Sequence, residues 1–320
     1  MIQSRLLAVL FPLMAWGLFA CGGGQEATTE GEAADTEAAD DAPRAMAQSG
    51  RSMKMDQLPL GSPESIISDG TYYYVSNVGP KLEPSTKDGD GFIMKLDDEG
   101  KVVTEKFMTG LDAPKGSAIV DGKFYVADID KVRIFDLETG EAAGMIDLAK
   151  SGTAFLNDLT PMGKGKLAVS ATDVNRIYTI NLAENTYEEL ITRPTITGPN
   201  GLWYDGDAQA LYVVNYLSEP KGVLGMVNLK EKAMEGDAYP YEQLNPFEGT
   251  LDGLAIYGDK AFVSDWNRQS IIVMDLNTGQ VGGFKLPSPV QGPADFYLDT
   301  EKGEIWLPGM MENTITVQTL

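Results

Sequence analysis

The chain has 320 residues, with 47 acidic side chains against 25 basic, no histidine, and a net charge of −22. So acidic a chain does not suit nucleic acid, whose phosphates select basic surfaces, nor electrostatic docking on anionic lipid; it attracts cations instead. One cysteine excludes an intramolecular disulfide, and the lack of histidine excludes a Ser-His-Asp triad and disfavours zinc.

Residues 1–20 read as an export signal. Arg5 gives a positive start, and Leu6 to Ala20 form an apolar run interrupted by Pro12 and Gly17, too short to span a bilayer stably. Leu18-Phe19-Ala20-Cys21 followed by three glycines resembles the lipobox of bacterial lipoproteins. The resemblance implies lipidation of Cys21 and attachment to a membrane through that anchor. Gly22 in place of an aspartate resembles the pattern that sorts lipoproteins to the outer membrane, where the chain would face the periplasm or the cell surface. Residues 21–50 then form the lipidated cysteine and a tether with seven acidic residues against Arg44 and no aromatic side chain, a composition expected to be disordered. Residues 51–320 are left for one folded domain, expected to be a monomer with a large core.

From there a repeat sets in. Six times a Gly- or Pro-rich turn delivers one polar residue just before a strand pattern: Glu64 (GSPESI), Lys115 (APKGSAI), Asn157 (FLNDLT), Asn200 (GPNGLW), Asp252 (TLDGLA) and Asp295 (GPADFY), at spacings of 51, 42, 43, 52 and 43. Each is followed by a short apolar strand, a turn and a second strand rich in Tyr, Phe and Val, as in SIISDG–TYYYVSNV, SAIVDG–KFYVADID and GLAIYGD–KAFVSDWN. A third strand ends in a polar tight turn, as in KVRIFDLETGEAA and SIIVMDLNTGQVG, and leads to a weaker fourth. Six units of four strands with a 40–50-residue period predict an all-β fold, a six-bladed β-propeller. The C-terminal TITVQTL aligns with a third strand, so the sixth blade lacks its outermost one. The segment 52–59 is expected to supply it, closing the ring and covering the open edge. Insertions at 80–91 and 235–249 account for the two longer spacings and are expected to shape a ligand entrance.

In such a fold the six polar residues line one central channel. Taken singly, Asn200-Gly201 or Asp252-Gly253 is an ordinary turn dipeptide; the shared phase of all six is what points to a site. Glu64, Asn157, Asn200 and Asp252 offer hard oxygen ligands, which suit Ca²⁺ best, with Mg²⁺ or Mn²⁺ as alternatives. A bound dication would polarise a carbonyl or phosphoryl oxygen, and an unliganded carboxylate could act as base or nucleophile.

At this level of repeat and ring, residues 55–320 resemble the calcium-dependent six-bladed hydrolase group of senescence marker protein-30/gluconolactonase, which includes luciferin-regenerating enzyme, diisopropylfluorophosphatase and paraoxonase. The motifs PNG at 199–201 and DG at 252–253 match locally, and the gluconolactonase-like branch matches best. The resemblance implies a metal held by Glu64, Asn157, Asn200 and Asp252, with Asp252 also the general base or nucleophile, and a lactone or related ester as substrate. Two positions depart from the pattern: Phe155 stands where sugar-lactonase members carry an arginine, and Lys115 where paraoxonase-like members carry a histidine. Lys115 either orients substrate and stabilises developing negative charge as a second catalytic residue, or pairs with Glu64 or Asp295 and weakens metal binding. Phe155, Trp266, Lys115 and Asp295 are the expected substrate-binding residues. The alternative function is a non-catalytic propeller that binds protein or glycan through its loop face.

Overall fold

The computed structural model describes residues 51–190, 196–216, 222–230, 239, 241–247 and 249–320. The expected export signal, Cys21 and the acidic tether lie outside these residues.

The described residues form 24 strands in six antiparallel four-stranded sheets, with two single-turn 3-10 helices between them. The chain enters with β1 (Ser52–Met55). Blade 1 follows as β2 (Pro63–Ser68), β3 (Tyr73–Asn77), β4 (Gly91–Leu96) and β5 (Val102–Leu111), and blade 2 as β6 (Pro114–Val120), β7 (Lys123–Asp128), β8 (Lys131–Asp136) and β9 (Ala142–Asp147). Blade 3 comprises β10 (Leu156–Gly163), β11 (Lys166–Ala171), β12 (Arg176–Asn181) and β13 (Thr186–Glu189). Blade 4 comprises β14 (Pro199–Asp205), β15 (Ala210–Asn215), β16 (Gly222–Asn228) and β17 (Tyr241–Phe247). Blade 5 is β18 (Leu251–Tyr257), β19 (Lys260–Asp265), β20 (Ser270–Asp275) and β21 (Val281–Gly283), and blade 6 is β22 (Tyr297–Asp299), β23 (Glu304–Gly309) and β24 (Thr314–Thr319). β1 pairs antiparallel with β24 over Ser52↔Gln318 to Met55↔Ile315, so the N-terminal strand completes the sixth blade as expected.

Turn chemistry explains why each meander folds back on itself. Asp136 ends β8 and accepts the N–H groups of Glu138 and Thr139 and the Thr139 hydroxyl; Asp275 does the same for Asn277 and Thr278 after β20. Asp97 and Asn181 play the same part in blades 1 and 3. These side chains mimic a backbone turn and set the reversal toward the outer strand.

Period-two alternation sends neighbouring residues of one strand to different blade interfaces. Tyr73 packs with Trp306, Ile315, Val317 and Met55 between blades 6 and 1, whereas Tyr74 packs with Phe124, Val126 and Phe135 between blades 1 and 2. Four further apolar clusters fill the interfaces 2–3, 3–4, 4–5 and 5–6. Six interfaces for six blades make a closed ring. At its closure Tyr73 stacks on Trp306 with centroids 3.9 Å apart, and its hydroxyl donates to Asp299 at 2.6 Å.

Candidate functional site

From their spacing the ring residues are expected in the turn before each innermost strand; five of them sit one step further on. Glu64, Lys115, Asn157, Asn200 and Asp252 are each the second residue of β2, β6, β10, β14 and β18. In all five blades the ladder to the second strand is interrupted at this point, between Pro63 and Ser65, Pro114 and Ser117, Leu156 and Leu159, Pro199 and Leu202, and Leu251 and Leu254. Such a bulge re-aims a side chain that strict alternation would not bring there. The segment before the ring residue is held from the end of the second strand. Asn77 Oδ1 accepts the Gly61 N–H at 2.9 Å, and Asp128 accepts the N–H groups of Asp112 and Ala113.

The five residues converge on one cavity of about 290 Å³, together with Leu82, Pro84, Phe155, Tyr216, Trp266 and Met310. All five are buried, from Lys115 and Asn200 at 1% exposure to Asn157 at 5%. Phe155 and Trp266, expected as substrate contacts, line the cavity; Asp295 does not. Its Oδ2 instead accepts the Ser65 hydroxyl at 2.7 Å, and its N–H donates to the Glu64 carbonyl at 2.9 Å, so it closes the ring between blades 6 and 1. Close packing continues below: a Cβ on Gly116 would lie 2.4 Å from Asp158 Oδ1 and 2.6 Å from its Cα.

Asp252 is the most defined of the set. Trp266 Nε1 donates to its Oδ2 at 2.8 Å, while Oδ1 accepts no hydrogen bond of ordinary geometry, the Asn200 amide lying near enough only to favour the charged carboxylate. Burial pushes its carboxyl up to about 7, opposed by the Trp266 bond and more weakly by the Asn200 amide and the Lys115 charge, with the Asp295 charge adding to the rise. Burial also raises Asp295 to about 6 against the Ser65 hydrogen bond. Glu64 lies well above the usual carboxylate range, first through burial and then through the nearby Asp252 charge, with Lys115 pulling the other way. Its Oε2 and the Asn200 Oδ1 are likewise buried without partners. Three of the four expected metal ligands thus carry an orphaned oxygen, a costly arrangement unless something electropositive satisfies them. Among the described residues no group of three or more Asp, Glu, His or Cys side chains converges as a metal cluster; a cation here would depend on the two carboxamides as well.

Lys115 forms an ion pair with neither Glu64 nor Asp295. Its ammonium donates to the carbonyls of Ala113 at 3.0 Å and Pro84 at 2.8 Å and lies 4.6 Å from the centre of the Phe155 ring. Burial lowers its pKa, opposed by the charges of Glu64, Asp128 and Asp252. Pro84 belongs to the insertion after β3, which a second contact, Lys87 Nζ to Asp130 Oδ2 at 2.6 Å, pins to the rim. That insertion forms one wall of the entrance as expected, through Leu82 and Pro84. The insertion at 235–249 lies partly outside the described residues.

The sequence reading named the insertion that carries Leu82 and Pro84 without singling out those two residues, and it missed Tyr216 and Met310 as lining residues, and Asp158. Asp158 is buried beside Asn157. Its carboxylate accepts the Leu159 N–H and, across the blade boundary, the Leu202 N–H, both at 2.6 Å, so it stitches blade 3 to blade 4. Burial, with Asp295 next in weight, holds its carboxyl well above the usual range.

No protein-family model matches the sequence, and no curated protein matches it. Solved structures do match the fold. Luciferin-regenerating enzyme aligns at TM-score 0.60 and 14% identity over 84% of this chain and 96% of its own. A catalytically inactive form of virginiamycin B lyase from Staphylococcus aureus aligns at 0.57 and 15% over 85% and 99%. An auxiliary nutrient binding protein from Bacteroides thetaiotaomicron aligns at 0.61 and 8% over 81% and 69%. At these identities the likeness is one of fold, a six-bladed β-propeller shared by enzymes and binding proteins alike.

Proposed function

We propose that the cavity holds a divalent cation, Ca²⁺ in preference to Mg²⁺ or Mn²⁺, and that the chain is a lactone or ester hydrolase of the gluconolactonase-like type. In this reading it belongs to the senescence marker protein-30 group and is tethered outside the cytoplasm through a lipidated Cys21. One observation carries the site: Glu64 Oε2, Asn200 Oδ1 and Asp252 Oδ1 are buried together around one cavity with no hydrogen-bond partner. A polar group left so costs about 1–3 kcal/mol, and hard oxygens without imidazole or thiolate suit an alkaline-earth ion. Glu64, Asn157, Asn200 and Asp252 would be its ligands, and when bound it would supply Lewis-acid polarisation of the ester carbonyl.

The protein's own groups then divide the work. Asp252, with one oxygen fixed by Trp266 and its carboxylate held ionised by the cation it would bind, would take the proton from an attacking water or itself attack the ester carbonyl carbon. Lys115 places a fixed positive charge beside the site where the carbonyl oxygen becomes negative. The aromatic wall of Phe155 and Trp266 excludes water from one side.

A second reading, a non-catalytic propeller that captures a ligand through its loop face, is favoured by the buried ammonium of Lys115, whose charge opposes a dication in the same ring. The two part in one assay. The full chain is screened against lactones and aryl esters in Ca²⁺ and in EDTA. The hydrolase reading expects turnover abolished by EDTA and restored by Ca²⁺; turnover indifferent to EDTA overturns the cation, and no turnover of any lactone or ester supports the binding reading.

A further inference from the structure

The walls of the cavity say what kind of molecule fits above the ring. Leu82, Pro84, Phe155 and Met310 present no strong hydrogen-bonding side-chain group. The indole N–H of Trp266 is already engaged by Asp252, and the Pro84 carbonyl by Lys115. Among the described residues this leaves, above the ring, the Tyr216 hydroxyl as the one polar side-chain group on the wall, together with the third N–H of the Lys115 ammonium at its base. Leu82 stands at the mouth, 43% exposed, so the apolar surface runs out to the rim. At about 290 Å³ the cavity lies at the small end of ligand pockets.

We propose that the cavity takes a small lactone or ester with an apolar acyl or aryl body and selects against polyhydroxylated sugar lactones. The proposal rests on the hydrolase reading for the reacting group, since that reading engages the ring oxygens with the cation and not with ligand hydroxyls. A polyol entering this space leaves at least two hydroxyls without partners. Each costs about tenfold in affinity, hence about 100-fold together. An alkyl or aryl body instead gains from covering Phe155, Trp266 and Leu82.

The test uses the full chain in Ca²⁺ and compares γ-nonalactone with glucono-1,5-lactone by pH-stat kinetics. We expect kcat/KM to favour γ-nonalactone by about 100-fold. We also expect the rim variant Leu82→Ser to raise KM for γ-nonalactone several-fold while leaving kcat close to its original value. Comparable efficiency for the two lactones, or a preference unaltered in Leu82→Ser, overturns the proposal. If neither lactone is hydrolysed, the hydrolase reading fails for these two substrates, and calorimetry of both lactones with the chain in Ca²⁺ decides the ligand class separately. Binding of γ-nonalactone at least tenfold tighter upholds the apolar class; equal, reversed or absent binding overturns it.

Discussion

Replacing Asp252 by asparagine should make the metal-free protein more stable and the calcium-supplied protein less so. In the folded chain the carboxyl titrates near 7 against an ordinary 3.8, chiefly because burial disfavours its charge. At 1.36 kcal/mol per pH unit, the gap corresponds to about 4 kcal/mol of unfavourable ionisation above pH 7. Allowing half of that for relaxation of the side chain leaves about 2 kcal/mol, or about 4–8 °C in Tm for a domain of this size. The direction follows from protonation: a group with a raised folded pKa contributes its full stability below about pH 4 and loses it as pH rises through about 7. The advantage of Asp252→Asn is therefore absent at pH 4 and complete at pH 8. The amide can still accept the Trp266 N–H, and its NH₂ replaces an orphaned acceptor in a site whose other orphans, Glu64 Oε2 and Asn200 Oδ1, are acceptors too. With Ca²⁺ present the order reverses, because the wild type gains from ligation and the variant has lost a charged ligand. Thermal melts of both proteins at pH 4 and pH 8, in EDTA and in millimolar Ca²⁺, give all the comparisons. A variant that melts below the wild type in EDTA at pH 8, or that gains as much from Ca²⁺, refutes the reasoning.

Three further substitutions probe the architecture around the ring. Gly116→Ala pushes a methyl into the Asp158 carboxylate and backbone, and should lower stability by about 1–3 kcal/mol in chemical denaturation; an unchanged midpoint would mean that blades 2 and 3 yield at that contact. Lys115→Met removes a cation from the ring and releases Pro84, so Ca²⁺ affinity should rise about tenfold while trypsin cuts faster at Lys81 or Lys87. Unchanged affinity would show that the ammonium does not compete with the metal. Met55→Lys puts a charge from β1 into the Trp306–Ile315–Val317 cluster and should cost about 3 kcal/mol or more. A melting temperature within about 2 °C of wild type would contradict the closure of the ring by β1.

The repeat was legible because turn chemistry and alternation are local. Asp136 and Asp275 announce their reversals in sequence, and Tyr73-Tyr74 shows by adjacency that both faces of a strand are buried. The ring was legible as a phase but not as a geometry: the bulge that turns Asn157 and Asp252 inward appears only when the ladder between the first two strands is seen. The same holds for Asp158, which simple alternation would send to the face opposite Asn157, although its hydrogen bond is to Leu202 of the next blade. The walls were partly hidden for another reason. Leu82, Tyr216 and Met310 meet across three blades, and nothing in their local sequence sets them apart from ordinary apolar loop residues. Lys115 illustrates both limits: its place in the ring was readable, whereas its partners, the carbonyls of Pro84 and Ala113, depended on where an inserted loop came to rest.

The most direct test of the account is a calorimetric titration of the EDTA-treated full chain with CaCl₂ at pH 8, run beside Asp252→Asn. The account predicts saturable binding at a site that Asp252→Asn weakens at least tenfold, with a matching rise in melting temperature for the wild type alone. No heat of binding up to millimolar Ca²⁺, or equal binding by the two proteins, would contradict a cation held by Glu64, Asn157, Asn200 and Asp252.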